Sequence, residues 1–148
     1  MNIVLVSPEI PHNTGAIGRT ALVTNSKLHL IRPFGFFLDE KSVKRAGLDY
    51  WHKIKLYEYD SFDEFIHGNI INQIYFVETC GTKKYTDVLY EKDCFLVFGS
   101  ETTGLPKNIL DKFQENIVCI PMASGERSLN LSVAVGVVVY EALRQAGF

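Results

Sequence analysis

A chain of 148 residues that is 47% hydrophobic and 22% charged has the make-up of one soluble globular domain, which excludes a disordered tail. A formal net charge of −2 excludes a protein that coats nucleic acid through bulk charge. The charge is uneven, though: residues 1–50 hold six Lys/Arg against four Asp/Glu, and residues 51–100 hold five against eight, so a local basic face is compatible with a mildly acidic whole.

In chain order, Asn2–Ser7 reads as a short buried strand ended by Pro8. Glu9–Thr14 is expected to be a loop, because Pro11 has no N–H to give a sheet. Ile17, Ala21 and Leu22 then recur at helical spacing, which predicts a helix over 15–26 with Asn13 or Thr14 as its cap. Leu28–Arg32 is a second strand, stopped by Pro33. A short helix is expected at Glu40–Ala46, ended by Gly47, with Lys41, Lys44 and Arg45 on its surface. Ile54–Tyr59 alternates as a strand does, and Ser61 with Glu64 forms a capping box for the helix after it. Ile74–Val77 is the next strand. Phe95–Phe98 is continuously apolar and meets Gly99, the pattern of a parallel strand buried on both faces. Pro106–Phe113 predicts a helix, Ile117–Ile120 an interior strand and Leu131–Ala146 the closing helix. Strands alternating with helices along residues 1–148 predict a single-domain, three-layer α/β fold with a parallel sheet.

The three cysteines, Cys80, Cys94 and Cys119, form no CxxC pair, and an odd count fits buried thiols in a reducing compartment. Met1–Val4 opens directly on a strand pattern, and the apolar runs are far short of a membrane span; a cytoplasmic protein without membrane attachment is expected. The closing helix is apolar on more than one face: Leu131, Val133, Val135, Val137, Val138, Val139 and Leu143 leave few polar positions in its first turns. One face can cover the sheet; the other is either buried within the chain or forms a homodimer interface, with Gly136 allowing close helix approach.

Four constellations follow strands, where open α/β sheets place their ligands. Asn13-x-Gly15-x-x-x-Arg19 follows strand one, and the planar donors of Arg19 suit phosphate or carboxylate. Gly99-Ser100-Glu101-Thr102-Thr103-Gly104-Leu105-Pro106 permits a tight loop with N–H groups facing a ligand, but it is neither a GxGxxG fingerprint nor a Walker A loop. Glu101 would repel a phosphate and suits an arginine or an adenosine-like ligand. Pro121-Met122 leads to Arg127-Ser128-Leu129-Asn130-Leu131-Ser132, a polar cluster between two apolar segments; burial there is costly unless the groups are paired, so the cluster reads as a ligand-facing turn. Helix capping explains one of these residues, not all. Val77-Glu78-Thr79-Cys80-Gly81-Thr82-Lys83-Lys84 can line the same pocket, with the two lysines free to meet nucleic-acid phosphates. His12, His29, His52 and His67 form no metal-ligand spacing, and no GxSxG nucleophile elbow occurs, so no metal is expected. The inventory favours positioning and charge neutralisation around an already activated donor.

These motifs, in this order, resemble the SPOUT superfamily of knotted RNA methyltransferases, in its SpoU/TrmH branch. Arg45-Ala46-Gly47-Leu48-Asp49-Tyr50-Trp51 and Val139-Tyr140-Glu141-Ala142-Leu143-Arg144-Gln145 are similar to the small single-domain members that methylate the wobble nucleotide of tRNA. The resemblance covers essentially the whole chain. It implies a deep trefoil knot over roughly residues 74–148, an exception to the unknotted rule. It implies that S-adenosyl-L-methionine is held by Thr79, Cys80, Gly81, Gly99, Ser100, Glu101, Gly104, Ile120, Met122, Ser128, Leu129 and Asn130. It implies a homodimer packed through the first and last helices, the first motif of one subunit lying near the donor of the other.

By the same resemblance, Arg19 is the catalytic arginine for attack of a ribose 2′-hydroxyl on the sulfonium methyl, with Asn13, Glu101, Ser128 and Asn130 completing the catalytic set. With a pKa above 12, an arginine is a poor base, so Arg19 is assigned to phosphate holding and alkoxide stabilisation; His12 is a second candidate base. Two departures from the family pattern stand out: Val133 where many relatives carry asparagine, and Thr79-Cys80 in place of the usual threonine pair. The expected substrate is nucleotide 34 in a tRNA anticodon stem-loop, cytidine or a modified uridine. Another tRNA or rRNA site, or a knotted RNA-binding module without catalysis, stays open at this point. Arg32, Lys41, Lys44, Arg45, Lys83, Lys84 and Arg127 are the candidate phosphate contacts.

Overall fold

The computed structural model describes residues 1–36, 50–126 and 128–147. Seven parallel strands form one sheet: β1 (Asn2–Val6), β2 (Lys27–Ile31), β3 (Lys55–Tyr59), β4 (Ile74–Val77), β5 (Lys83–Lys84), β6 (Phe95–Phe98) and β7 (Ile117–Cys119), in the order β3-β2-β1-β6-β4-β7-β5. The helices are α1 (Pro11–Val23), α2 (Phe62–Gly68), α3 (Lys107–Lys112) and α4 (Leu131–Gln145).

Alternation along the strands divides the core in two. Ile3, Leu5, Leu28, Leu30, Leu96 and Phe98 face α1 and α4, meeting Ile17, Ala21, Val135, Val138, Val139 and Ala142. Val4, Val6, Ile31, Phe76 and Val97 face the other way, packing on Phe65 of α2 and Ile109 of α3. This is the expected three-layer α/β arrangement. β4 and β6 keep the predicted bounds because their apolar runs are unbroken and end abruptly. The capping box at α2 is present: Glu64 N donates to Ser61 Oγ at 3.1 Å, and Asp60 N donates to Glu64 Oε2 at 2.6 Å.

Three expectations are corrected. Residues 11–14 are helix, not loop: Pro11 occupies the first turn, where its missing N–H costs nothing, and Ile10 precedes it without a side-chain cap. Asn13 and Thr14 therefore lie inside α1 instead of capping it. Among the cysteines only Cys94 is buried; Cys80 is exposed and Cys119 half-buried, all three free. Lys83 and Lys84 form an edge strand on β7, and Lys83 Nζ donates to the Glu115 carbonyl at 2.8 Å. The predicted helix at 40–46, most of the motif 45–51, Lys41, Lys44, Arg45 and Arg127 lie outside the described residues.

The second face of α4 is not buried within the chain. Val133 is 51% and Tyr140 50% exposed, half-buried Val137 lies between them at helical spacing, and Gly136 has open space where a Cβ would stand.

Candidate functional site

The carboxyl ends of β1, β4, β6 and β7 open into one cavity of about 490 Å³, a size typical of small-molecule sites. Its walls come from the predicted segments: Asn13 on α1, Thr79 after β4, Gly99–Gly104 after β6, Ile120 and Met122 after β7, and Ser128, Leu129 and Asn130 before α4. Of the residues assigned to the donor, Cys80 and Gly81 fall outside this lining. Gly81 packs instead against the Val118–Cys119 backbone, which leaves no room for a side chain.

The loop after β6 is held closed by its own bonds. Ser100 N donates to the Gly104 carbonyl at 3.2 Å, and Gly104 N returns a 3.0 Å bond to Ser100 O. Ser100 Oγ accepts from Thr103 N at 3.2 Å and lies 2.8 Å from Thr103 Oγ1. Gly104 has φ +68°, a region that L side chains rarely enter, and a Cβ there would overlap Glu78 Oε1.

Glu101 is committed to structure. It accepts from Glu9 N at 2.8 Å, Ile10 N at 3.2 Å and Asn13 Nδ2 at 2.9 Å, joining the β6 loop to the start of α1. Its negative charge near the positive end of the helix macrodipole adds to that attachment. Asn130 Nδ2 donates to Asn13 Oδ1 at 3.0 Å, while Asn130 Oδ1 accepts from Ser132 N at 2.9 Å and so caps α4. The three motifs are thereby one network, Glu101–Asn13–Asn130.

The polar cluster before α4 is not buried. Ser128, Asn130 and neighbouring Leu129 are exposed in the single chain, so a desolvation penalty does not explain them. Val133 brings its backbone N to 3.4 Å of Asn130 Oδ1. Arg19 is exposed on α1, its guanidinium 4.1 Å from the centroid of the Tyr50 ring, and does not line the cavity of its own chain. Arg32 is engaged by Glu58 at 2.7 Å and Asp60 at 3.4 Å, which weakens its claim as a free phosphate contact.

Glu78 belongs to the run Val77–Lys84 that was expected to line the pocket, but it carried no role of its own. It lines the cavity at the end of β4, and burial raises its carboxyl pKa, partly offset by bonds from the Leu105 and Thr79 backbone N–H groups. Nothing in the run Val77-Glu78-Thr79 marks it; its burial depends on the loop after β6 closing over it. Among the described residues no cluster of His, Cys, Asp and Glu could hold a metal, and no helix is long and apolar enough to cross a membrane.

The profile of the SpoU rRNA methylase family matches residues 1–140. A relative from Listeria monocytogenes serotype 4b is 52% identical over 99% of this chain and 89% of its own length. A Saccharophagus degradans relative, named tRNA (cytidine(34)-2′-O)-methyltransferase, is 46% identical over 99% of this chain and 96% of its own. The crystal structure of the SpoU methyltransferase AviRb from Streptomyces viridochromogenes in complex with AdoMet superposes with a TM-score of 0.84 at 26% identity, over 99% of this chain and 57% of that longer one.

Proposed function

This chain belongs to the SpoU rRNA methylase family, and from that premise we propose that it is an S-adenosylmethionine-dependent 2′-O-methyltransferase acting on nucleotide 34 of tRNA. The observation that carries the reading is the cavity walled by three ordered motifs and tied together by Glu101–Asn13–Asn130, in a chain with a 46% identical relative named for that activity. That name favours tRNA over the rRNA of the family's description.

The cavity fits such a donor. Its volume suits a nucleoside with a short amino-acid tail, the Gly99–Gly104 backbone allows close approach, and Leu129 and Met122 offer apolar surface for a base. When bound, the donor supplies a methyl group on a sulfonium centre. The residues that would hold it are those of the cavity wall: Gly99, Ser100 and Gly104 after β6, Ile120 and Met122 after β7, Ser128, Leu129 and Asn130 before α4, and Thr79 after β4. Glu101 and Asn13 keep the walls in register. The trefoil knot over roughly residues 74–148 belongs to this reading, and the non-sequential placement of β6 between β1 and β4 is in keeping with it.

Arg19 lies off its own cavity, which is understandable if the working unit is a homodimer and the Arg19 of a second copy faces this donor. The uncovered stripe Val133, Gly136, Val137, Tyr140 on α4 supports such a pairing, as does exposed Val23 on α1. Arg19 would then hold a phosphate of the anticodon stem-loop and stabilise the negative charge that develops on the attacking 2′-oxygen.

The test is to incubate the protein with labelled S-adenosylmethionine and total RNA, tRNA and rRNA together, from a strain lacking the gene, then map the label. Methyl on the 2′-oxygen of nucleotide 34 is the expected result. Label on rRNA alone, or none on any RNA, overturns the proposal.

A further inference from the structure

Two carboxylates line the cavity, and they differ in what they have left to offer. Glu101 already accepts three hydrogen bonds from Glu9 N, Ile10 N and Asn13 Nδ2. For Glu78 the Leu105 and Thr79 backbone N–H groups only offset part of the cost of burial, and among the described residues it has no further hydrogen-bond donor. An ionised carboxylate has about four acceptor positions, so Glu78 keeps roughly two open toward the cavity. Among the described residues it has no ion-pair partner, and burial works against its charge. The group is therefore short of donors.

Two ligand chemistries could meet that need: a cation, or a pair of hydroxyls. A sulfonium placed against Glu78 would be stabilised most before methyl transfer, since part of its charge is lost on the way to the transition state, and the contact would slow the reaction it serves. A vicinal diol carries no charge to lose and presents two O–H donors to two open acceptors. Carboxylates at the ends of parallel strands meet nucleotide ribose hydroxyls in this way in dinucleotide folds. We infer that the Glu78 carboxylate accepts hydrogen bonds from the ribose hydroxyls of the methyl donor, and that it is a recognition residue of this chain. The inference rests on the donor reading above. It also assigns a selectivity: a carboxylate at the ribose repels phosphorylated nucleosides of similar shape.

The test is calorimetric binding without RNA, using S-adenosylmethionine, S-adenosylhomocysteine and the 2′-deoxyribosyl form of the latter, against wild type and Glu78→Gln. The expected result is a roughly tenfold rise in Kd for both ribosyl ligands in Glu78→Gln, the size of one charge-assisted hydrogen bond. Wild type should lose a similar factor on the deoxy ligand, and Glu78→Gln should lose little more, because the two changes remove one interaction. A loss confined to S-adenosylmethionine would point to the sulfonium and overturn the inference, as would unchanged affinity or full additivity. A wild-type protein that binds neither ribosyl ligand would instead overturn the methyltransferase reading. Should Glu78→Gln fail to fold, Glu78→Asp, which keeps the charge and withdraws it by one methylene, enters the same cycle with the same criteria.

Discussion

Asn130 donates to Asn13 across 3.0 Å, although 117 residues separate them in the chain. Asn13 in turn donates to Glu101, so the start of α1, the loop after β6 and the start of α4 share one amide. Asn13 is 7% exposed, and its two bonds span the cavity's rim. Asn13→Ala leaves Glu101 with its two backbone donors and takes the acceptor from Asn130 Nδ2, while Asn130 Oδ1 still caps α4. We predict a stability loss of about 1–2 kcal/mol in chemical denaturation, with a fall in methyl-donor affinity by calorimetry. Unchanged affinity would mean that the network holds the fold without shaping the cavity.

Gly104 gives a sharper case. Its φ of +68° and the nearness of Glu78 both exclude a Cβ. Gly104→Ala should destabilise the protein by about 2 kcal/mol or more, since strain and overlap act together. Thermal unfolding checks this, and a neutral result would show that the loop can re-form around a side chain.

The elements legible in the sequence were those whose signal is local. Phe95–Phe98 and Ile74–Val77 announce themselves as apolar runs, and Ser61 with Glu64 as a cap. The start of α1 was not legible, because Pro11 reads equally as a sheet breaker and as a first-turn residue, and Ile10 offers no capping oxygen. β5 has two residues and no apolar pattern; only its pairing with β7 defines it. In the site, motif residues on loops share the wall of one cavity. Cys80 and Gly81 did not line the cavity, because the chain turns at Gly81 to pack on β7. Glu78 was expected only as part of a pocket-lining run; its individual environment comes from Gly104 and Leu105, far along the chain.

His29 sets a pH dependence. It is buried and its pKa is lowered to about 4, first by desolvation and then by Lys27. Asn69 Nδ2 donates to Tyr59 Oη, and Asn2 Nδ2 to the Asp93 carbonyl. This leaves Asn2 Oδ1 to accept from His29 Nε2 at 3.3 Å, and Tyr59 O–H to donate to Nδ1 at 3.0 Å. The neutral ring fits this chain of donors, and a second ring proton does not. The unfolded state therefore binds more protons between pH 4 and 6.5, so stability should fall as pH drops below about 6.5 and level off below about 4, by about 3 kcal/mol in total. Denaturation midpoints across that range test it, and His29→Gln should flatten the slope. A wild-type slope no steeper than that of the variant would remove His29 from the account.

Gly136 separates the monomer from the assembly. It sits mid-helix with nothing within 4 Å of a Cβ, on the stripe shared with Val133, Val137 and Tyr140. In an isolated chain Gly136→Gln should stabilise α4, by somewhat under 1 kcal/mol, through helix propensity alone. In a homodimer the same side chain would hold two close helices apart. The two effects have opposite sign, so they can be read separately. We predict a higher dimer dissociation constant by sedimentation equilibrium, together with lost RNA methylation and methyl-donor binding retained per chain. Arg19→Ala should leave both dimer and donor binding intact and reduce methylation by at least about 100-fold, the scale for removing a charge-stabilising group. At donor concentrations well below the raised Kd of Glu78→Gln, where that variant is also weak, mixing it with the inactive Arg19→Ala protein should restore part of the activity if Arg19 serves the partner's cavity, because half of the sites in a mixed dimer would keep both groups. No recovery in verified mixed dimers would place Arg19 in the service of its own chain.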